Sequence, residues 1–162
     1  MMNDDLTGRP SAQAGCPGRR LTPHSVRLAQ PFSWPVRVYY EDTDSGGVVY
    51  YANYLKFLER ARTEWLRALG FGQGELAARD GVVFVVRSLS IEYLRPSSFD
   101  DSLRVTVELV KVGASLMVVA QRVICDEEVR VSAEVKLACV DRAAFRPVRI
   151  PRTIVTRIGT TA

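Results

Sequence analysis

Histidine is almost absent from this chain. Among its 162 residues His24 stands alone, in a stretch broken by glycine and proline. That excludes a Ser-His-Asp triad, a Cys/His pair and a His-rich metal site in a folded core. Cysteine is nearly as scarce. Cys16, Cys125 and Cys139 are the three, and none stands in a C-x-x-C pair, so zinc-knuckle and dithiol redox motifs are excluded too. Such a sparse, odd set reads as reduced thiols of a cytoplasmic protein, with Cys125 and Cys139 as small core residues. Neither a metal nor a cofactor is expected. No apolar run approaches the ~20 residues of a membrane span, and the first twenty residues lack the apolar segment of a secretory signal.

What is present suits a soluble domain with a tail. The chain is 47% hydrophobic and 25% charged, enough to bury a core of useful size. Its net charge of +4 sits at the ends. Residues 1–34 carry four Arg against two Asp, residues 151–162 carry two Arg, and residues 35–150 hold sixteen groups of each sign. A balanced domain argues against a nucleic-acid partner, which wants a basic face on the domain itself. Room remains for a small cationic patch that meets a phosphorylated ligand.

Residues 1–34 read as a disordered tail, because Gly8, Pro10, Ser11, Gly15, Pro17, Gly18, Pro23 and Pro31 interrupt any period. The domain is expected over residues 35–150, and residues 151–162 as a loosely packed C-terminal tail. Residues 35–40 form a short β-like run, and residues 41–47 (EDTDSGG) a loop, since two Gly and three acids disfavour a strand. The clearest helix is 51–69. Tyr54, Leu58, Ala61, Trp65 and Leu69 recur at spacings of four, three, four and four, with Phe57 and Ala68 widening the stripe. Asn53 is a cap by residue type, and Gly70 suits the position after the helix end. Residues 73–79 add one or two turns. Strands follow at 82–93, 102–112, 116–125 and 129–140, separated by polar turns. In the second of these Leu103, Val105, Val107 and Leu109 share one face.

Hairpin-linked strands imply an antiparallel sheet, and the long helix must bury its stripe on one sheet face. The fold class is therefore α+β, five strands wrapped on one helix. The uncovered edges and second face call for another copy of the chain, a homo-oligomer.

The chemistry is concentrated in residues 37–54, RVYYEDTDSGGVVYYANY. With no histidine in the domain, a carboxylate is the one side chain there able to act as base or nucleophile. Asp42 and Asp44 both stand in the loop, and both could equally make turns or cap the helix. Arg37, Val38, Thr43, Asp44, Gly47, Val48, Val49, Asn53 and Tyr54 together resemble the signature of the 4-hydroxybenzoyl-CoA thioesterase branch of the hotdog-fold superfamily. The YYEDTD run, the ERART segment (residues 59–63) and the FVVR segment (residues 84–87) are similar to the tol–pal-associated acyl-CoA thioesterase group. The resemblance covers about residues 35–150. It implies a hotdog fold with a five-stranded antiparallel sheet around a long central helix, packed as a dimer of dimers.

It also implies hydrolysis of a short-chain or aromatic acyl-CoA to the free acid and CoA. Asp44 would be the catalytic carboxylate and the backbone N–H of Tyr51 the oxyanion donor, leaving Asp42 structural. Gly47, Val48, Glu59, Phe84, Val85 and Val86 would line the substrate, although Glu59 also has the spacing to pair with Arg62 on the helix surface. Arg87 and Arg95 are candidates to meet CoA phosphates. Many members of the tol–pal group have His where this chain has Tyr51, which removes His-assisted proton transfer here. An envelope or lipid-synthesis protein is a candidate partner. The competing readings are a non-catalytic acyl-thioester-binding or envelope-complex accessory hotdog protein, and a hotdog dehydratase, which normally needs the missing histidine. The run from Gly70 to Gly74 is no nucleotide loop, because no strand leads into it and no Lys follows.

Overall fold

The helical stripe takes the form its spacing predicts. In the computed structural model, which describes residues 31–159, Asn53–Ala68 form helix α1. Tyr54, Phe57, Leu58, Ala61, Trp65 and Leu66 are buried along one side of it. Gly70 ends the helix at φ 90°. Its N–H donates to Arg67 C=O and the Phe71 N–H reaches back to Leu66 C=O, both at 2.9 Å. This pair of bonds is the Schellman arrangement, which needs a residue without a Cβ penalty at Gly70. Helix α2, Gln73–Arg79, follows where expected.

The sheet comprises β1 (Phe32–Arg37), β2 (Val82–Tyr93), β3 (Ser102–Val112), β4 (Leu116–Cys125) and β5 (Glu128–Asp141). Its order is β1-β3-β4-β5-β2, and all neighbours are antiparallel. The alternation on β3 holds: Leu103, Val105 and Val107 are buried and face the core with the α1 stripe. Asp126 and Glu127 join β4 to β5 as a two-residue turn with φ of 49° and 63°, the twist that suits a tight hairpin. The α+β class and the five-stranded antiparallel sheet wrapped on one long helix are borne out.

Several boundaries differ from expectation for identifiable reasons. The first strand lies at Phe32–Arg37, not 35–40, with Val36 opposite Leu103. Pro35 sits inside it because β1 is an edge strand, where a missing N–H costs no ladder bond. The tail expected over residues 1–34 thus loses residues 32–34 to the sheet, and the rest up to residue 30 lies outside the described residues. Asn53 does not cap α1: Ala52 precedes it in helical geometry without a side-chain cap. The segment between β2 and β3 is no hairpin, because β2 pairs with β5 and the chain crosses β5 and β4 to reach β3.

The loosely packed end expected for residues 151–162 is also corrected. Helix α3, Arg152–Gly159, is amphipathic, and Ile154 and Ile158 join Ile150 in the core at 2% exposure or less. The three isoleucines stand four residues apart, which is helical spacing, but the stripe is too short to stand out among Arg and Thr. Ile154→Ala should therefore destabilise the fold by about 2–4 kcal/mol through the cavity it leaves. The exposed neighbour Arg152→Ala should stay within ~0.5 kcal/mol of the parent. Urea unfolding of the two variants measures the difference.

Candidate active site

The loop between β1 and α1 is a small closed structure. Thr43 bridges Val49, the Asp44 N–H donates to Val48 C=O at 2.9 Å, and the Gly47 N–H donates to Asp44 C=O at 3.0 Å. Gly47 takes φ 77° in this turn. Asp44 lies exposed at the tip, and its Oδ1 accepts the Gly46 N–H at 2.8 Å. A Cβ on residue 46 would stand 3.0 Å from that same oxygen, so glycine there lets the carboxylate fold over its own turn.

Asp42, two residues away, has a different environment. It is buried, and its Oδ2 accepts the Tyr39 N–H at 2.9 Å. Its carbonyl receives the Tyr50 N–H at 2.8 Å and the Asn53 Nδ2 at 3.0 Å. Asn53 thus spends its side chain on holding the loop to the helix start. Arg37, the first residue of the motif, ties the end of β1 to Asp100 through the Asp100 carbonyl at 2.6 Å.

The loop delivers the chain to the N-terminus of α1. Tyr50 C=O accepts the Asn53 N–H at 2.8 Å, and Tyr51 C=O accepts the Tyr93 hydroxyl at 3.2 Å. The Tyr51 N–H has no acceptor among the described residues. Tyr51 lies in the wall of a cleft of about 280 Å³ lined by Val49, Tyr51, Tyr54, Tyr93, Leu94, Arg95 and Pro96. The far wall is pinned: the Leu94 and Arg95 N–H groups both donate to Arg130 C=O, and the Val49 N–H donates to Ser97 C=O at 2.8 Å. The Ser97 N–H donates to the buried Tyr54 hydroxyl at 3.1 Å. Tyr93 packs against both Tyr51 and Tyr54, with ring centroids 6.2 and 5.9 Å away. Desolvation, with Tyr51 and Tyr54 adding to it, raises the Tyr93 phenol above its ordinary pKa, so it remains a donor to the Tyr51 carbonyl. The cleft is apolar and aromatic, with free backbone N–H character at its mouth from the helix start.

Other residues singled out from the sequence lie elsewhere. Asp44, Gly47, Val48 and Tyr51 share one loop-to-helix corner, although of these four Tyr51 alone lines the cleft. Glu59 is exposed on α1, roughly 12 Å of helix beyond Tyr51, where it accepts the Thr63 hydroxyl at 2.7 Å. It forms no ion pair with Arg62. That side chain turns inward instead, and its Nη1 donates to the buried Gln121 Oε1 at 2.8 Å. Desolvation lowers the Arg62 pKa, and the charge of Glu59 acts against it. Phe84, Val85 and Val86 stand near the start of β2, whereas the cleft is at its end. Val86 is roughly 23 Å from Tyr93 along the strand. Arg95 stands in the cleft wall, with Glu128 3.8 Å away. Val49, Tyr54, Tyr93, Leu94 and Pro96 were not singled out as lining residues. Nothing local marks Tyr93, Leu94 and Pro96, because only sheet closure sets them against residues some forty positions earlier.

Comparison with known proteins gives a consistent result. Residues 46–132 match the Thioesterase superfamily model. The chain is 46% identical over 127 residues to the acyl-CoA thioesterase YbgC of Haemophilus influenzae, covering 78% of this chain and 93% of that one. It is 46% identical over 125 residues to the acyl-CoA thioester hydrolase YbgC of Escherichia coli O157:H7, covering 76% and 92%. The crystal structure of a probable thioesterase from Bartonella henselae superposes with a TM-score of 0.73 at 34% identity, covering 75% of this chain and all of that one. The resemblance that residues 37–54 carry to the hotdog thioesterases is borne out.

Tyr54→Phe tests how the cleft wall is held. It strips the buried Ser97 N–H of its acceptor and should cost about 1–3 kcal/mol. Urea unfolding, with faster amide exchange at Ser97, is the measurement.

Proposed function

The chain belongs to the thioesterase superfamily, and on that premise we propose that it hydrolyses a short-chain or aromatic acyl-CoA to the free acid and CoA. The observation that carries this reading is the N–H of Tyr51, which has no acceptor among the described residues, at the start of α1 in a residue that lines an apolar, tyrosine-rich cleft. A thioester carbonyl placed there meets a donor already oriented by the helix and by the Tyr93–Tyr51 hydrogen bond. Charge developing on the carbonyl oxygen is then stabilised without reorganisation. Asp44 is the carboxylate of the same corner. As a base it takes a proton from water while the water oxygen adds to the carbonyl carbon. The C–S bond then breaks, and the leaving thiolate regains a proton. As a nucleophile Asp44 adds to the carbonyl carbon and expels the CoA thiolate, which takes up a proton, and water then opens the resulting mixed anhydride to the free acid and the Asp44 carboxylate.

The site reads as half of a two-chain site. β2 is a twelve-residue edge strand whose second edge is unpaired among the described residues. Val86, Leu89 and Tyr93 on it are exposed at 51%, 37% and 45%. A long apolar edge of this kind is stable when another strand covers it. Antiparallel pairing of two β2 strands about a two-fold near residues 87 and 88 would set the partner's Val86 beside Leu89 and the partner's Phe84 beside Ile91. That pairing carries the partner's FVV segment toward the cleft and gives those three residues a role in lining it. That pairing gives a dimer, which we propose as the unit of a dimer of dimers. The free, buried Cys125 and Cys139 support a cytoplasmic setting, where thiols stay reduced.

Asp44→Asn should lower kcat by ~10²–10⁴-fold for loss of a general base, with more lost if Asp44 is the nucleophile. The fold should be kept, because an amide oxygen can still accept the Gly46 N–H. Asp42→Asn should cost far less in rate. A thiol-release assay over a panel of acyl-CoAs measures both, and the opposite ranking would move the catalytic role to Asp42. Leu89→Asp should shift light scattering toward the monomer and lower turnover together. A fully active monomer would refute the two-chain site.

A further inference from the structure

After β5 the chain changes character. Residues 142–159 contain Arg142, Arg146, Arg149, Arg152 and Arg157 and no Asp, Glu or Lys. Between Arg142 and Arg152 every other residue is Ala, Phe, Pro, Val or Ile. This segment folds back as a strap over one end of the sheet. The Arg142 N–H donates to Gly81 C=O at 2.8 Å, the Asp141 N–H to Arg146 C=O at 2.9 Å, and the Ile150 N–H to Ala114 C=O at 2.8 Å. These contacts lie at the start of β2, the end of β5 and the turn between β3 and β4. Within one chain the cleft lies at the other end of the same strands, roughly 40 Å along them at the rise of an extended chain.

The strap sorts its side chains. Ile150 is buried and Val148 half-buried, while all five arginines are exposed. Among the described residues no carboxylate lies within ion-pair distance of Arg142, Arg146, Arg149 or Arg152. The neighbouring acids are engaged: Asp141 Oδ1 accepts the Ala143 and Ala144 N–H groups, and Asp80 pairs with Arg79 at 2.9 Å. Between Arg142 and Arg146 stands Phe145, 68% exposed and held at φ 51°. A bulky residue at that angle is strained. The fold therefore holds a phenyl ring out into water on a turn flanked by two guanidinium groups.

We propose that this strap is a contact for the surface of an anionic phospholipid bilayer. The guanidinium groups pair with lipid phosphates, and Phe145 enters the boundary between headgroups and acyl chains. The arginines alone would suit the phosphates of a bilayer or of duplex DNA, and Phe145 decides between the two. Phe145 gains nothing from a phosphate backbone, whereas a bilayer interface removes it from water. No helix among the described residues is long and apolar enough to cross a membrane, so the contact is with the surface.

The test is sedimentation of the full chain with phosphatidylcholine vesicles that either contain or lack phosphatidylglycerol, at low and raised salt. Binding is expected with phosphatidylglycerol alone, weakening as salt rises. The triple variant Arg142→Gln, Arg146→Gln, Arg149→Gln should lower partitioning ~100-fold, at roughly fivefold per arginine. Phe145→Ser should lower it several-fold while leaving the salt dependence in place. Circular dichroism of each variant separates lost binding from lost fold. Failure to bind the phosphatidylglycerol vesicles overturns the proposal. So does unchanged binding by the folded triple variant, or tighter binding to duplex DNA or polyglutamate than to the vesicles.

Discussion

Phe57, Leu58, Ala61, Trp65 and Leu66 leave water together when α1 lies against the sheet, and the positions of the other elements follow from that contact. Phe57 and Leu58 are at 1% exposure or less, and full burial of side chains of this size contributes roughly 1.5–3 kcal/mol each. The contact is not purely apolar. Arg62 reaches through it to Gln121 on β4, and the Gln121 Nε2 donates to Leu58 C=O at 3.1 Å. A buried guanidinium needs its acceptor. The helix therefore has one favourable rotation on the sheet, because any other would strand Arg62. That rotation presents the start of α1 beside the end of β2.

At that junction a few hydrogen bonds determine the shape of the site. Asp42 supplies a carboxylate oxygen to Tyr39 and a carbonyl oxygen to both Tyr50 and Asn53. The chain is thereby turned so that the next N–H, on Tyr51, is left without an acceptor among the described residues. On the opposite wall Tyr54 and Val49 hold Ser97, and Arg130 holds Leu94 and Arg95. The cleft is thus a gap between two segments, each anchored to a different part of the sheet. Its width depends on tertiary anchoring rather than on either segment alone.

The two sheet edges are unequal, and the inequality bears on assembly. β1 is six residues long and carries Pro35, which offers no N–H to a further strand. β2 is twice as long, has no proline and keeps apolar residues exposed toward its outer half. Association through β2 is therefore favoured over association through β1. The arginine-rich strap closes the end of the sheet remote from the cleft of its own chain.

The periodic elements were legible in the sequence because their information is local. The α1 stripe, the alternation on β3, the Gly70 helix stop and the polar turn between β4 and β5 follow from residue spacing and backbone preference within a few positions. The motif over residues 37–54 was legible for the same reason, and with it the family and the corner holding Asp44 and Tyr51. Three features depended on contacts between distant residues. Ile154 and Ile158 form too short a stripe to read as a helix until the core they fill is present. Arg62 has the spacing of a surface partner for Glu59, and only the position of Gln121, 59 residues away, draws it inward. The cleft wall at Tyr93, Leu94 and Pro96 exists because β2 pairs with β5 instead of β3, a choice among strands of similar composition that local pattern does not make. The sequence by itself determined the elements and the chemistry of the loop. Tertiary structure alone decided which distant surfaces meet to form a cleft, because strand order depends on the joint burial of the whole sheet against α1.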